Sequence, residues 1–224
     1  MTIAAISWDW GLIAEWFPYL LGGLRFTFIV ALSTMTIGLV LGLVLALARL
    51  STVPWIRLPA VVFIDVFRGT PVLTQLLFFY ITIPLTTGIV WSALTTGIVA
   101  FGLNVGAYCA ETFRAGINSI TSSQVEGGLA LGMTRSLVYR RVVLAQAVRR
   151  VIPALGNIWV SLFKDTSLVA LISVPDVLFR GREVAGLYFK SLEMYSAVAA
   201  IYIFVSLPQA KLVDWLYAKY RTEE

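Results

Sequence analysis

The feature that most constrains this chain is the length of its uncharged stretches. No charged residue occurs in 26–48 or in 69–110. A helix that crosses a bilayer needs about 20 predominantly apolar residues, so the second stretch suffices for roughly one and a half to two crossings. The chain has 13% charged residues, whereas an ordinary soluble domain has about 25%. These observations predict an all-α membrane protein.

The residue types that are scarce exclude several kinds of site. The chain has no histidine and one cysteine, Cys109, which excludes an intrachain disulfide and a cysteine-based metal site. The commonest general base and metal ligand is also missing. We therefore predict no catalytic residue, no metal site and no cofactor in this chain. The net charge of +5 is interpreted as a bias toward loops on one membrane side, not as a nucleic-acid site.

Hydropathy and turn residues predict five membrane helices in one domain. Pro54 and Pro59 bracket the first connection, and Pro84 and Gly88 mark the second. The predicted helices are 20–47, 58–84, 91–115, 143–163 and 195–216. They form a transmembrane domain over 20–218, with an interfacial segment, 1–19, before it and a tail, 219–224, after it.

Arginine positions predict how the chain is oriented. The connections after the first and third helices and the C-terminal tail carry basic residues, which the positive-inside rule places in the cytoplasm. These residues are Arg49, Arg57, Arg135, Arg140, Arg141, Lys211, Lys219 and Arg221. The N-terminus is then outside and the C-terminus inside. Aromatic residues of 8–19 indicate an interfacial anchor, so we expect no cleaved signal.

The connection over 120–142 differs from the other loops because it is long, polar and partly helical in pattern. Leu129, Leu137 and Val138 alternate with Arg135 and other arginines. An amphipathic helix of this kind either lies on lipid headgroups or docks into a partner protein. Periodicity alone leaves both open.

Several motifs in fixed order resemble the polar amino acid subfamily of ABC importer permeases. The likeness runs over 22–176 and rests on four groups of residues. They are Phe67-Arg68-Gly69-Thr70-Pro71 with Gln75; Gly106-Ala107-Tyr108 with Glu111 and Arg114; Glu126-Gly127-Gly128 with Gly132; and Pro153 to Asn157 with Lys164-Asp165-Thr166-Ser167-Leu168.

This resemblance implies a type I importer, in which the chain is one of two permeases. The partners would be an ABC ATPase dimer that binds ATP and Mg, a second permease (identical or related), and an extracytoplasmic substrate-binding protein. The substrate would be a polar amino acid, and the location would be the bacterial inner membrane. The cytoplasmic segment 124–139 would be a coupling helix seated in the ATPase, which favours the docking alternative.

The resemblance also assigns the residues that contact the ATPase. They are Glu126, Gly127, Gly128, Leu131, Gly132 and Met133. Glu-Gly-Gly replaces the usual Glu-Ala-Ala, and Ala145 replaces a usual proline. Because glycine costs about 1 kcal/mol against alanine in a helix, these departures are expected to loosen the segment.

Residues of the second and fourth predicted helices are candidates for binding substrate. Pro71 disrupts its helix, so backbone groups near Gly69 and Thr70 become available to a ligand. The alternative is a kink needed only for packing, with Arg68 paired to Asp65. The resemblance implies substrate contacts from Gly69, Thr70, Pro71, Gln75, Ser161, Asp165 and Thr166.

Asp165 is a candidate because an ionisable residue within a membrane span is costly. In the resemblance it accepts the substrate's ammonium group; the alternative is a pair with Lys164 at the outer interface. Permeases for basic amino acids often carry an acid where this chain has Ile158, so a neutral or acidic substrate is expected. Glu111 and Arg114 are expected to form an intrahelical ion pair. Asn104 is expected to join helices rather than contact a ligand.

Two rival functions remain at this point. An ATP-independent secondary transporter or channel explains the hydropathy but gives the glycine-bearing segment no role, and the chain shows no inverted repeat. A membrane enzyme is disfavoured because the chain lacks histidine and a nucleophile-elbow serine.

Overall fold

The computed structural model describes residues 8–220, which form a bundle of eleven α-helices. The elements are α1 (Trp10–Gly22), α2 (Leu24–Arg49), α3 (Pro54–Gly69), α4 (Val72–Leu77), α5 (Ile83–Thr87), α6 (Ala93–Asn118), α7 (Ser122–Ala130), α8 (Arg135–Val138), α9 (Leu144–Asp165), α10 (Val177–Tyr188) and α11 (Ser191–Tyr220). Two π-helical stretches, Phe78–Thr82 and Tyr139–Val143, join neighbouring helices, and a 3₁₀ helix, Thr166–Ile172, extends α9.

Four continuous helical stretches are long and apolar enough to cross a membrane, and a bent pair makes a fifth candidate. The four are Trp10–Arg49, Ala93–Asn118, Arg135–Ile172 and Ser191–Tyr220, and the bent pair is Pro54–Gly69 with Val72–Thr87. The predicted all-α membrane fold is confirmed. The predicted second helix is not continuous, however, because the pair bends by 106°.

Close packing of α2 against α6 forms the centre of the bundle. Gly38 and Gly42 of α2 face α6, and Gly102 and Gly106 of α6 face α2. A Cβ atom on Gly42 would lie 2.5 Å from the Cβ of Cys109 and 3.0 Å from the carbonyl oxygen of Gly106. Small residues four apart on both helices therefore allow the two backbones to approach, as is common between membrane helices.

The N-terminal helix packs against the C-terminal part of the bundle. Leu12 of α1 clusters with Val184 and Ala185 of α10 and with Met194 of α11. The predicted interfacial segment 1–19 therefore includes a packed helix from Trp10 onward, while 1–7 lie outside the described residues, as do 221–224 of the predicted tail.

Helix α10, which carries several charged residues, lies in the stretch 164–194, where no helix was predicted. Those charges have local partners: Asp176 accepts a hydrogen bond from the backbone N–H of Phe179 and begins the helix. Glu183 accepts one from the Tyr19 hydroxyl, and Arg180 donates to the Tyr19 carbonyl at 2.7 Å. Charged side chains thus join α10 to α1.

Candidate functional site

The bend between α3 and α4 arises at Pro71 and leaves backbone groups without their helical partners. In a continuous helix the carbonyl of Phe67 would accept from the N–H of residue 71, which a proline lacks. That carbonyl instead accepts from Gln75 Nε2 at 2.8 Å and from Asn104 Nδ2 at 3.1 Å. The Thr70 hydroxyl donates to the Val66 carbonyl at 2.9 Å. Side chains therefore take the place of the missing helical bonds.

The Gln75 side chain closes this break from the α4 side. Its Nε2 also lies within hydrogen-bond distance of the carbonyl and the hydroxyl of Thr70, at 3.1 and 2.7 Å, so its two hydrogens are shared among three oxygens. Its Oε1 accepts from Asn104 Nδ2 at 3.0 Å. The amide of Gln75 is thus fully engaged in holding the bend against α6.

A cavity of about 430 Å³ lies beside the break, between α4, α6 and α9. Polar residues line the cavity from the bend before α4, from α6 and from α9. The lining residues are Thr70, Pro71, Val72, Asn104, Val105, Tyr108, Asn157, Ile158, Ser161, Leu162 and Asp165. A mostly apolar wall with a few converging polar groups is typical of a small-molecule site.

The structure brings together four of the seven residues predicted to bind substrate. Thr70, Pro71, Ser161 and Asp165 line the cavity. Gly69 comes directly before them in the chain but is not in the lining.

The other two predicted contacts, Gln75 and Thr166, do not line the cavity. Gln75 is buried and used as a brace. The Thr166 hydroxyl is buried and donates to the Phe163 carbonyl at 2.7 Å. Each of these two side chains donates to a backbone carbonyl, so their substrate contacts stay a prediction.

Sequence reasoning did not assign Asn104, Tyr108 or Asn157 to the site. Tyr108 and Asn157 stand within the motifs of the resemblance. Asn104 was expected to join helices, and it does so. Its place in the cavity wall depends on the bend at Pro71.

Neither of the alternative ion pairs forms in the described part of the chain. Asp165 makes no salt bridge there with Lys164, and it faces the cavity. Asp65 pairs with Arg49 at 3.5 Å rather than with Arg68. The guanidinium of Arg68 instead lies 5.6 Å from the centre of the Tyr108 ring, which places a cation beside the cavity wall.

The predicted Glu111–Arg114 pair is confirmed, with Arg114 Nε 3.0 and 3.1 Å from the two carboxylate oxygens. Arg49 of α2 joins it, with Nη1 3.2 Å from Glu111. One carboxylate therefore links two helices at this end of the bundle.

The segment predicted to be one coupling helix is two helices separated by a turn. Helix α7 ends in a Schellman motif: Gly132 has φ +80°, and the N–H of Met133 donates to the Gly128 carbonyl at 3.1 Å. The spaced glycine of the motif is therefore the left-handed residue that ends α7. The chain then re-enters a helix at α8, where the Thr134 hydroxyl caps the N–H of Leu137.

The surface of this segment is open to a partner. Glu126, Gly127 and Leu131 are exposed, Leu131 at 84%, while Gly128 is buried against Val138. A second cavity of about 510 Å³ lies beside α7, and its lining includes Glu126 and Arg135. Asn118 lines this cavity and also one of about 460 Å³ that contains Arg49 and Arg57. The arginine-bearing connections therefore lie at the same end of the bundle.

Residues 38–221 match the family described as the inner membrane component of binding-protein-dependent transport systems. The chain belongs to this family. The glutamine transport system permease protein GlnP of Escherichia coli is 37% identical over 204 residues, covering 90% of this chain and 93% of GlnP. The probable amino-acid permease protein YxeN of Bacillus subtilis is 36% identical over 208 residues, covering 92% of this chain and 93% of YxeN.

A solved structure of a family relative has the same fold. The crystal structure of an amino acid ABC transporter with histidines superposes with a TM-score of 0.90 at 32% identity, covering 96% of this chain and 100% of the matched chain. Family membership thus confirms the ABC permease resemblance and favours a binding-protein-dependent transporter over an ATP-independent channel. Members of this family are the inner membrane components of binding-protein-dependent transport systems.

Proposed function

We propose that this chain is the permease subunit of an ABC importer for an amino acid and that the cavity beside Pro71 lies on the substrate's path. One observation carries the proposal: a bent span opens beside α9 so that Thr70, Ser161 and Asp165 share one cavity. Polar groups at irregular backbone within a membrane are tolerated only where protein or a cavity covers them. The names of GlnP and YxeN, both permeases linked to amino acids, support this substrate class.

The charges around the cavity suit a zwitterion. Asp165, the single acidic residue in the lining, is proposed to accept the substrate's ammonium group. Arg68, over Tyr108 at the cavity wall, offers a positive charge for the carboxylate. Ile158 lines the same cavity and adds no second carboxylate. We therefore propose a neutral or acidic substrate rather than one with a cationic side chain.

The exposed face of α7 is proposed to seat in an ATPase subunit, which would bind ATP and Mg. Glu126, Gly127, Leu131 and Gly132 are exposed and available for this contact, and Met133 is half-buried. The buried Gly128 lets α7 pack on α8 and so acts on the fold of the segment. The ATPase would drive transport by binding α7 differently in its ATP-bound and ATP-free states.

The remaining partners and the orientation belong to the same proposal. A second permease, identical or related, and an extracytoplasmic binding protein would complete the importer. The arginines clustered at the α7 end support a proposed orientation in a bacterial inner membrane in which that end is cytoplasmic, the N-terminus is outside and the C-terminus is inside.

Reconstitution tests this proposal. The permease is assembled in vesicles with the ATPase and the binding protein of its importer, and the proteinogenic amino acids are screened for stimulated ATP hydrolysis and uptake. We expect stimulation by a neutral or acidic amino acid and its loss in Asp165→Asn. Uptake by the purified permease without an ATPase would contradict the proposal, as would strong arginine uptake that depends on Asp165.

A further inference from the structure

We propose that Asn104 presents a fixed hydrogen-bond acceptor to the substrate's α-ammonium group and that Gln75 is the positioning residue that holds Asn104 in this orientation. This inference rests on the proposed function of the cavity and deepens it. It assigns a ligand contact to a residue otherwise explained as a link between helices.

The orientation of the Asn104 amide follows from its two partners. Nδ2 has two hydrogens, and two acceptors lie within hydrogen-bond distance: the Phe67 carbonyl at 3.1 Å and Gln75 Oε1 at 3.0 Å. If the amide were turned over, Oδ1 would face two oxygen acceptors with no hydrogen between them. Asn104 lines the cavity, so the polar atom that remains for the cavity is Oδ1.

Gln75 is fixed by the same reasoning. Its Nε2 faces three oxygens, from Phe67 and Thr70, so its Oε1 must point toward Asn104. The Phe67 carbonyl, which has no helical donor because of Pro71, thus fixes the Gln75 amide. Oε1 of Gln75 in turn fixes the Asn104 amide. The helix break therefore sets the direction of the Asn104 amide.

The substrate group that this acceptor selects is a donor. Oδ1 of Asn104 accepts and cannot donate, and the carboxylate of Asp165, which also lines the cavity, is likewise an acceptor when ionised. An α-ammonium group has three hydrogens and can satisfy both. A substrate without this group would leave Oδ1 of Asn104 without a hydrogen-bond donor, which is costly because Asn104 is only 8% exposed.

The test compares an amino acid with its des-amino counterpart, in which hydrogen replaces the α-ammonium group. Calorimetry on the assembled permease–ATPase complex, without binding protein, first identifies which of the twenty proteinogenic amino acids binds most tightly. Dissociation constants of this amino acid and its des-amino form are then measured for wild type, Asn104→Leu, Gln75→Leu and Asp165→Asn. The matched control is Gln209→Leu, because Gln209 is hydrogen-bonded to Trp159 in α9 and does not line the cavity.

We expect wild type to bind the amino acid more tightly than its des-amino form. Asn104→Leu should reduce this ratio of dissociation constants about 10-fold or more, the effect of losing a hydrogen bond to a charged group. Gln75→Leu should reduce the preference by a smaller factor, because Asn104 can then turn, and Gln209→Leu should not change it. Asn104→Leu is expected to fold, since Gln75 still donates to the Phe67 carbonyl. Asn104→Ala is a second variant with the same expected result.

Several results would overturn the inference. If Asn104→Leu and Asn104→Ala weaken binding of both ligands equally, Asn104 has only a structural role. If Asp165→Asn weakens amino acid binding while the Asn104 variants keep the preference of wild type, the inference fails but the proposed cavity stands. If no amino acid binds the wild-type complex, both fail.

Discussion

A methyl group in place of a hydrogen on Gly128 would lie 2.8 Å from Cγ2 of Val138, so α7 and α8 touch at a residue that has no side chain. A Cβ atom built on the neighbouring Gly127 would have nothing within 4 Å outside its own helix. The two glycines of the Glu-Gly-Gly sequence therefore differ: Gly128 allows two helices to pack, and Gly127 has room for a side chain.

The first prediction is that Gly127→Ala and Gly128→Ala have opposite effects on stability. Gly127→Ala should stabilise α7 by about 1 kcal/mol because alanine is the better helix former. Gly128→Ala should destabilise the segment by about 1–3 kcal/mol through overpacking against Val138. Hydrogen exchange of the α7 amides in the purified permease measures both effects.

Removing the obstructing methyl groups provides the control for this prediction. Val138→Ala combined with Gly128→Ala should recover part of the lost protection, since the Cγ atoms that obstruct the new methyl group are gone. Equal protection in the two single glycine variants would contradict the difference between their environments.

The second prediction concerns the α2–α6 contact. Gly42→Ala should destabilise the protein by about 1–3 kcal/mol, because its Cβ would meet Cys109 at 2.5 Å and backbone atoms of α6 at 3.0 Å, and backbone cannot turn aside. Gly186→Ala, in α10 with open space around it, is the matched control and should be neutral or slightly stabilising. Thermal unfolding in detergent measures both, and a loss in Gly186→Ala as large as in Gly42→Ala would refute the packing argument.

The sequence was sufficient for the spans and for the break at Pro71, because both depend on local chemistry: apolar length and a missing N–H. It was not sufficient for the role of Gln75, since the Phe67 carbonyl that Gln75 binds becomes available only once the helix bends. Asn104 reaches the same carbonyl from 37 residues away, a distance that no local pattern encodes.

Two other differences between expectation and structure also have physical causes. The segment 124–139 was predicted as one coupling helix from the family resemblance, but Gly132 adopts a positive φ and ends α7. Helix α10 was not among the predicted helices, and two of its charged side chains are bound by the hydroxyl and the carbonyl of Tyr19 in α1. In both places a contact or a dihedral angle decides the local structure.

The third prediction uses the shared carboxylate of Glu111. Glu111→Gln should destabilise the protein by about 1.5–3 kcal/mol, because Arg114 loses a charged hydrogen-bonding partner and Arg49 loses an ion-pair partner. Asp65→Asn is the control: Asp65 also pairs with Arg49, but its side chain is 60% exposed, so its loss should cost less than about 1 kcal/mol. Thermal unfolding of the two variants should separate them, and equal losses would contradict a central role for Glu111.

The fourth prediction is a change in the pH dependence of stability on replacing Asp176, the buried residue that caps α10 between the last two candidate spans. Burial raises the pKa of this carboxyl from 3.8 to about 6, despite hydrogen bonds from Phe179 and Tyr202 that lower it. The folded protein therefore holds this proton more tightly than the unfolded chain, so the group favours folding at low pH. This contribution to the free energy of unfolding is lost as the pH rises from about 4 through about 6. The total loss amounts to about 3 kcal/mol.

Asp176→Asn tests the sign, because asparagine caps a helix about as well as aspartate but carries no charge. Relative to wild type, the free energy of unfolding of this variant should increase by up to about 3 kcal/mol as the pH rises from 4 to 7. Asp176→Ala should show the same change with pH relative to wild type, but its free energy of unfolding should be about 1 kcal/mol lower than that of Asp176→Asn because the helix cap is lost. Thermal unfolding across this pH range measures the difference between variant and wild type, which removes the contribution of other titrating groups. A difference that does not vary with pH would show that the Asp176 carboxyl is not desolvated in the folded protein.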